Sequence, residues 1–331
     1  MRIQSLDLLR FIAAISVVFY HFYGTPDSPF GLFTDISKYG FLGVPLFFII
    51  SGFVITISAD NRSPKAFLIA RLIRILPMYW LGLILTSFIV IINGNFDDRV
   101  TIINFFANIT LFNQYMNIPN IDGVYWTLQI EIIFYFMMFF LLLFGIFSNI
   151  KLWVSIWLLC LISFFIFKQP FFLPYFVPAA YAGFFIVGIN LYLISKERLT
   201  RFTSFVGLVA AFITSYSAFN ITPSFIRNAS HEHQYIAGIL VLIMQLIFVL
   251  IALDKLRLPQ SKLLMILGGI TYPLYLIHNL IGKILIEKLS LYLGISISTG
   301  LVVFGLIVVS YFMYLLIDVK LAKILKSKLL P

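Results

Sequence analysis

Arg10 and His21 lie eleven residues apart in an otherwise apolar run that also holds Asp7. On a helix, at about 100° per residue, that spacing returns to within about 20° of one face, with about 16 Å along the axis. A guanidinium at one end of such a stripe can hold an anion. An imidazole at the other end can move a proton or accept a transferred group. Asp7 stands three positions before Arg10, where the two can pair. The plainer readings are that this pair neutralises itself and that His21 is an interfacial histidine bonded to a backbone carbonyl.

Other chemistry-bearing residues recur along the chain. Arg71 and Arg74 stand just before Pro77. If that segment is helical, both guanidiniums share a face and suit phosphate groups; otherwise they are ordinary membrane anchors. Trp126 opens a run that carries Glu131 and Tyr135, four apart on one face. Glu131 suits three tasks: fixing a histidine tautomer, binding a sugar hydroxyl, or pairing with Arg10; a structural ion pair is the plainer alternative. Ser51 lies in the segment Gly43 to Phe53, whose small residues favour close helix approach. His278, next to Asn279, is either a polar group of the same cavity or a hydrogen bonder between helices. His231 and His233 are two apart, a spacing common by chance, and no helical third metal ligand accompanies them.

The elements that position these groups follow from composition. The 331 residues are 61% hydrophobic and 18% aromatic, and only 11% are charged. A soluble domain carries about 25% charged residues; a soluble enzyme and a disordered chain are both excluded. Cys160, the sole cysteine, excludes an intrachain disulfide framework and a cysteine zinc site. About 20 apolar residues cross a bilayer. By that measure ten spans are predicted, near 4–23, 40–58, 75–93, 125–146, 150–167, 176–195, 203–219, 236–253, 263–286 and 294–317. The third is expected to open after Pro77. Segment 101–112 reads as an interfacial or re-entrant piece. The first span is expected to be retained rather than cleaved as a signal peptide, because Asp7 and Arg10 interrupt it.

With the N-terminus cytoplasmic, 16 of the 23 basic residues fall on the cytoplasmic side, from Arg2 through Arg62, Lys151, Lys196 and Arg257 to the tail lysines. Six, namely Lys38, Arg99, Lys168, Arg227, Lys283 and Lys288, fall on the other side, and Arg10 lies within a span. That bias predicts both termini in the cytoplasm, which requires an even span count. The net charge of +10 is then mostly topology, and nucleic-acid binding loses its support. The expected architecture is all-α: one polytopic transmembrane helix bundle of about ten helices, forming a single domain over residues 1–331.

In this order the residues resemble the acyltransferase-3 family of integral-membrane acyltransferases, the bacterial glycan O-acetylase type. Leu6 to His21 resembles the family's opening helix with its Arg-x10-His signature. Gly43 to Thr56 resembles its second-helix segment. Arg71 and Arg74 fit an Arg-x-x-Arg motif followed by Leu76 to Trp80. Trp126 to Tyr135 and Tyr272 to His278 resemble its later motifs. The chain departs from the family at Ile132 and Ile133, which replace a second Glu and a Gln, and at Asp318-Val-Lys320, which replaces a closing Glu-x-Pro. Glu131 therefore stands without a paired carboxylate. No appended esterase-like domain is expected to follow, so transfer is expected to finish in the membrane domain or with partners.

The resemblance implies an O-acyltransferase that takes an acyl group from cytoplasmic acyl-CoA, used as a substrate with no permanently bound cofactor and no metal. The acceptor is a hydroxyl of a cell-surface or lipid-linked carbohydrate. Family frequency points to acetyl, with succinyl and other short acyl groups as alternatives. His21 is implied as essential, either as general base or as the acylated group, with Arg10, Glu131 and Asp7 as the other catalytic candidates. Attack needs a neutral imidazole, and Asp7 or Glu131 would stabilise the imidazolium as it forms. Arg71 and Arg74 are candidates for the CoA phosphates, and Tyr135, Trp126, His278 and Ser51 for further substrate contacts. Phe30, Phe33, Tyr115, Tyr125 and Tyr235, in or beside loops expected at 24–39, 94–124 and 220–235, either stack on sugar rings or sit at the interface. Expected partners are the lipid bilayer, the carbohydrate acceptor and polysaccharide biosynthesis proteins, at a bacterial cytoplasmic (inner) membrane. The competing functions are a transporter or flippase of lipid-linked sugars and an assembly subunit of an export complex.

Overall fold

A computed structural model describes residues 3–25, 28–94, 100–167 and 179–330. Arg2, Arg99 and Lys168, which the charge distribution used, and the first residues of the predicted span 176–195 lie outside them. The described residues form helices joined by short turns, with no strand. In lipid this is the expected solution, because a helix satisfies its backbone groups within itself.

The helices are α1 (Gln4–Tyr23), α2 (Leu32–Ser37), α3 (Gly43–Asp60), α4 (Pro64–Ile92), α5 (Ile102–Ile109), α6 (Trp126–Leu143) and α7 (Ile150–Ile166). After them come α8 (Ala179–Glu197), α9 (Arg201–Phe225), α10 (His231–Ala252), α11 (Lys262–Ile277), α12 (Asn279–Leu293) and α13 (Ile295–Met313). A π-helical turn over Tyr314–Leu321 joins α13 to α14 (Ala322–Leu329). Among the described residues, nine helical stretches are long and apolar enough to cross a membrane, and α11 with α12 makes a tenth if that bent pair is one span. The chain is a multi-pass membrane protein.

Three boundaries differ from expectation. The third span does not open after Pro77: α4 starts at Pro64 and carries Pro77 in its interior. Proline removes one backbone bond, but inside a membrane leaving the helix would forfeit many more. Tyr272 Oη also donates to the Ile75 carbonyl, two residues before the proline, at 3.1 Å. The ninth span is broken at His278, where the axes of α11 and α12 diverge by 73°. The expected loop at 220–235 is mostly helical, because α9 runs to Phe225 and α10 starts at His231.

The described helices form two compact units, each assembled from two stretches of chain. The first unit covers residues up to Phe67 and Ile133–Ser261. Its centre is the α3–α8 pair. Gly52 and Gly188 let the backbones touch there: a Cβ on Gly52 would strike the Phe185 carbonyl, and one on Gly188 the Ile49 carbonyl. Gly43 does the same for α3 against the Ala13 carbonyl of α1. The packing reading of the Gly43 to Phe53 segment is thus correct at both of its glycines. At one end of this unit charges pair across helix ends, Lys151 with Glu197 at 2.7 Å and Lys196 with Asp60 at 2.6 Å, and Arg257 pairs with Asp254 at 2.6 Å within the turn after α10.

The second unit covers Leu68–Ile132 and residues from Lys262 onward. Residues 100–125, ahead of α6, form an ordered cap within it. The short α5 exposes Ile102, Ile103 and Phe106 while burying Ala107 and Asn108, as an interfacial helix would. Asn108 Oδ1 accepts from Ile121 N at 3.1 Å. Asn113 Nδ2 donates to Asn120 Oδ1 at 2.9 Å, and Gln129 Nε2 donates to Asn113 Oδ1 at 3.0 Å. Tyr79 Oη on α4 donates to the Asn108 carbonyl at 2.7 Å.

Candidate functional site

The candidates divide between the units. Asp7, Arg10, His21, Ser51 and Tyr135 belong to the first; Arg71, Arg74, Trp126, Glu131 and His278 belong to the second.

In the first unit, α1 is continuous from Gln4 to Tyr23, so Arg10 and His21 keep the eleven-residue helical register. Its lower end is pinned. Gln4 Nε2 donates to Gln260 Oε1 at 3.0 Å, and Ser5 Oγ donates to the Leu256 carbonyl at 2.7 Å. Asp7 is wholly buried, and Arg10 Nη1 donates to its Oδ1 at 3.4 Å. A carboxylate without water requires such a partner, so the predicted Asp7–Arg10 pair forms. His21 is half-buried in the last turn, three residues before the Gly24 cap. Aromatic rings frame that end of α1. The Tyr20 ring meets the His21 ring edge-on at 4.9 Å, and Tyr20 Oη donates to the Phe225 carbonyl at 2.7 Å. Phe41 stacks on Phe225 at 4.7 Å. On the neighbouring faces Phe19, Tyr23, Phe30 and Phe33 pack edge to face. Ser51 is half-buried on α3, and Tyr135 is buried on α6.

In the second unit, the segment holding Arg71 and Arg74 is helical, and both lie half-buried on α4. Arg74 Nη1 pairs with Asp318 Oδ2, whose carboxylate is delivered by the π-turn. A π-turn shifts side-chain register relative to an α-helix and is often found at functional positions. Trp126 and Glu131 are half-buried on α6. His278 is fully buried at the α11–α12 break, with Nδ1 2.8 Å from the Tyr275 carbonyl.

One reading needs correction. Tyr125 is not a surface ring for a sugar. It is fully buried, with its hydroxyl 3.1 Å from Thr86 Oγ1 and 3.4 Å from the Leu276 carbonyl. His233 caps a helix: its Nδ1 accepts from Ser230 N at 3.0 Å at the start of α10, and His231 Nδ1 is 2.8 Å from Gln234 Oε1.

Sequence reasoning missed Asp122 and Asn279. Asp122 is wholly buried, and its oxygens accept from Val124 N at 3.2 Å, Asn279 Nδ2 at 2.7 Å and Leu280 N at 2.9 Å. It sits in a polar stretch where an aspartate looks ordinary. The usable signal was its place four residues before Trp126, where an acid caps the turn Gly123–Tyr125.

A family model described as "Acyltransferase domain" matches residues 3–317. The protein ORF330 of Acidianus two-tailed virus, which carries a provisional acetyltransferase name, is 28% identical over 300 residues, covering 88% of this chain and 86% of the relative. No solved structure matches the chain.

Proposed function

Because this chain belongs to the acyltransferase-3 family, we propose that it is an O-acetyltransferase, taking acetyl from acyl-CoA and placing it on a hydroxyl of a cell-surface or lipid-linked carbohydrate. That it is an acyltransferase of many membrane helices follows from the family and the fold. The donor, the acceptor, the bacterial cytoplasmic membrane and the roles below are the proposal. The observation that carries it is the unbroken α1, which holds Arg10, fixed on buried Asp7, and His21 in one helical register.

In this account the CoA phosphates bind on the cytoplasmic side at Arg71 and Arg74. His21 takes the proton of the acceptor hydroxyl while its oxygen attacks the thioester carbonyl. The carbon–sulfur bond breaks, and the thiolate leaves with the proton returned by the imidazole. In the covalent variant the imidazole itself displaces the thiol and the acceptor then attacks the acyl-imidazole. General-base help of this kind supplies about 10²–10⁴-fold. Ser51, Trp126, Tyr135 and His278 are proposed to contact substrate.

One feature favours the transporter reading. The broken pair α11–α12 resembles the discontinuous helices that line transporter sites. Membranes holding the protein are incubated with acetyl-labelled acetyl-CoA and the carbohydrate fraction is counted. Label in carbohydrate supports transfer; its absence, with labelled donor intact, supports transport.

A further inference from the structure

We propose that Asp122 is a positioning residue for acyl transfer, a clamp that fixes the break carrying His278 against the start of the helix carrying Trp126 and Glu131. The inference rests on the proposed transfer for its kinetic consequence, but not for its geometry. A helix that starts inside an apolar span leaves its first N–H groups without helical acceptors, and with no water nearby each such group is costly. The start of α12 meets this need with a carboxylate. Asp122 Oδ2 accepts from Leu280 N at 2.9 Å, and Oδ1 accepts from the Asn279 side chain at 2.7 Å.

The same oxygen, Oδ1, also accepts from Val124 N at 3.2 Å. Asp122 therefore ties α12 to the turn Gly123–Tyr125, which runs directly into α6. A wholly buried carboxylate is tolerable only with such a donor set, and the positive end of the α12 dipole adds to it.

A second set of bonds closes the other side of the break. Tyr275 Oη donates to the Val124 carbonyl at 3.1 Å and lies 2.9 Å from Thr127 Oγ1. The Leu276 carbonyl is 3.4 Å from Tyr125 Oη, and the Tyr275 carbonyl is 2.8 Å from His278 Nδ1. Residues 275–280 are thus held on both sides of His278 by residues 122–127. The backbone on either side of His278 cannot shift without breaking bonds that also seat the first turn of α6, and the ring is anchored to that backbone through Nδ1 at the Tyr275 carbonyl. A ring held this way presents one nitrogen, Nε2, in a fixed direction, which is what positioning a substrate hydroxyl requires.

The test uses the full chain in lipid nanodiscs, with Asp122→Asn, Asp122→Ala and Asn279→Ala. Two readouts are taken: amide hydrogen exchange in the peptide containing Leu280, and the kcat and donor KM of acetyl transfer from acetyl-CoA. The clamp predicts faster exchange at that peptide in Asp122→Ala, and kcat lower by about 10²-fold with an unchanged KM for acetyl-CoA. Asp122→Asn keeps one acceptor oxygen but turns its NH2 against the donors of the other, so it recovers only part of the loss. Asn279→Ala removes one donor without removing the acid, so it reports even if Asp122→Ala fails to fold, and it lowers kcat in the same sense. Unchanged exchange in the Asp122 variants, or unchanged kcat in Asn279→Ala, overturns the clamp. If the wild-type protein transfers no acetyl at all, the proposed function fails, and the exchange data alone still decide whether the clamp exists.

Discussion

Arg74 already holds a carboxylate, Asp318, so its proposed task of binding a phosphate involves a competition. The side chain of Asp318 is 7% exposed and that of Arg74 is 40% exposed, so the open side of the pair belongs to the guanidinium. Arg71→Ala and Arg74→Ala should each raise the KM for acetyl-CoA about tenfold, from loss of a charged hydrogen bond of about 1.5 kcal/mol; an unchanged donor KM would make both residues simple anchors. Asp318→Asn keeps the shape and removes the competing charge, so the donor KM should fall in the same assay. A rise would show that Asp318 orients Arg74 for its ligand. At this scale the sequence was legible wherever a charge interrupts an apolar run. Asp7, Arg10, His21 and His278 stand out for that reason alone. Asp122 did not, because its burial is created by a fold that brings residues 122 and 280 together, and the only local sign, an acid capping the turn before Trp126, does not announce burial.

Element boundaries were legible where hydropathy changes sharply and misread where one residue was given too much weight. α1 and α3 end close to where their apolar runs end. Pro77 was read as a start signal, but Pro64 occupies the first helical position, where its missing N–H costs nothing. The closeness of helix pairs was legible only as a composition of small residues, and which backbones meet was not. Gly188→Ala should destabilise the protein by about 1–3 kcal/mol, because its new methyl meets the Ile49 carbonyl, a backbone atom that cannot turn aside. Gly305→Ala on α13 has nothing within 4 Å of the new methyl and should be neutral or slightly stabilising. Thermal unfolding of the two variants in detergent checks the contrast, and equal midpoints would refute the contact.

For the whole molecule, the parity of the spans decides the topology. If α11 and α12 cross as one bent span, the described residues make ten spans and both termini lie on one side, as the distribution of lysine and arginine predicts. If the pair is re-entrant, the count is nine and the termini separate. Reporter fusions at both ends test this, and so does Tyr292→Cys, in the last turn of the bent pair, in a Cys160→Ser background that leaves no other cysteine. The account predicts a cytoplasmic C-terminus and labelling of position 292 by an impermeant thiol reagent from outside; the opposite result would make the pair re-entrant. The number of spans was legible from length and hydropathy, whereas the break at His278 was not, because no glycine or proline stands at it and apolar residues continue on both sides. The central claim is that the imidazole of His21 carries the acyl transfer. Mass spectrometry of the surface glycan from cells expressing wild-type protein or His21→Ala, at matched membrane levels, tests it most directly. The account predicts acetylated glycan with the wild type and none with the variant; equal acetylation in the two would contradict it.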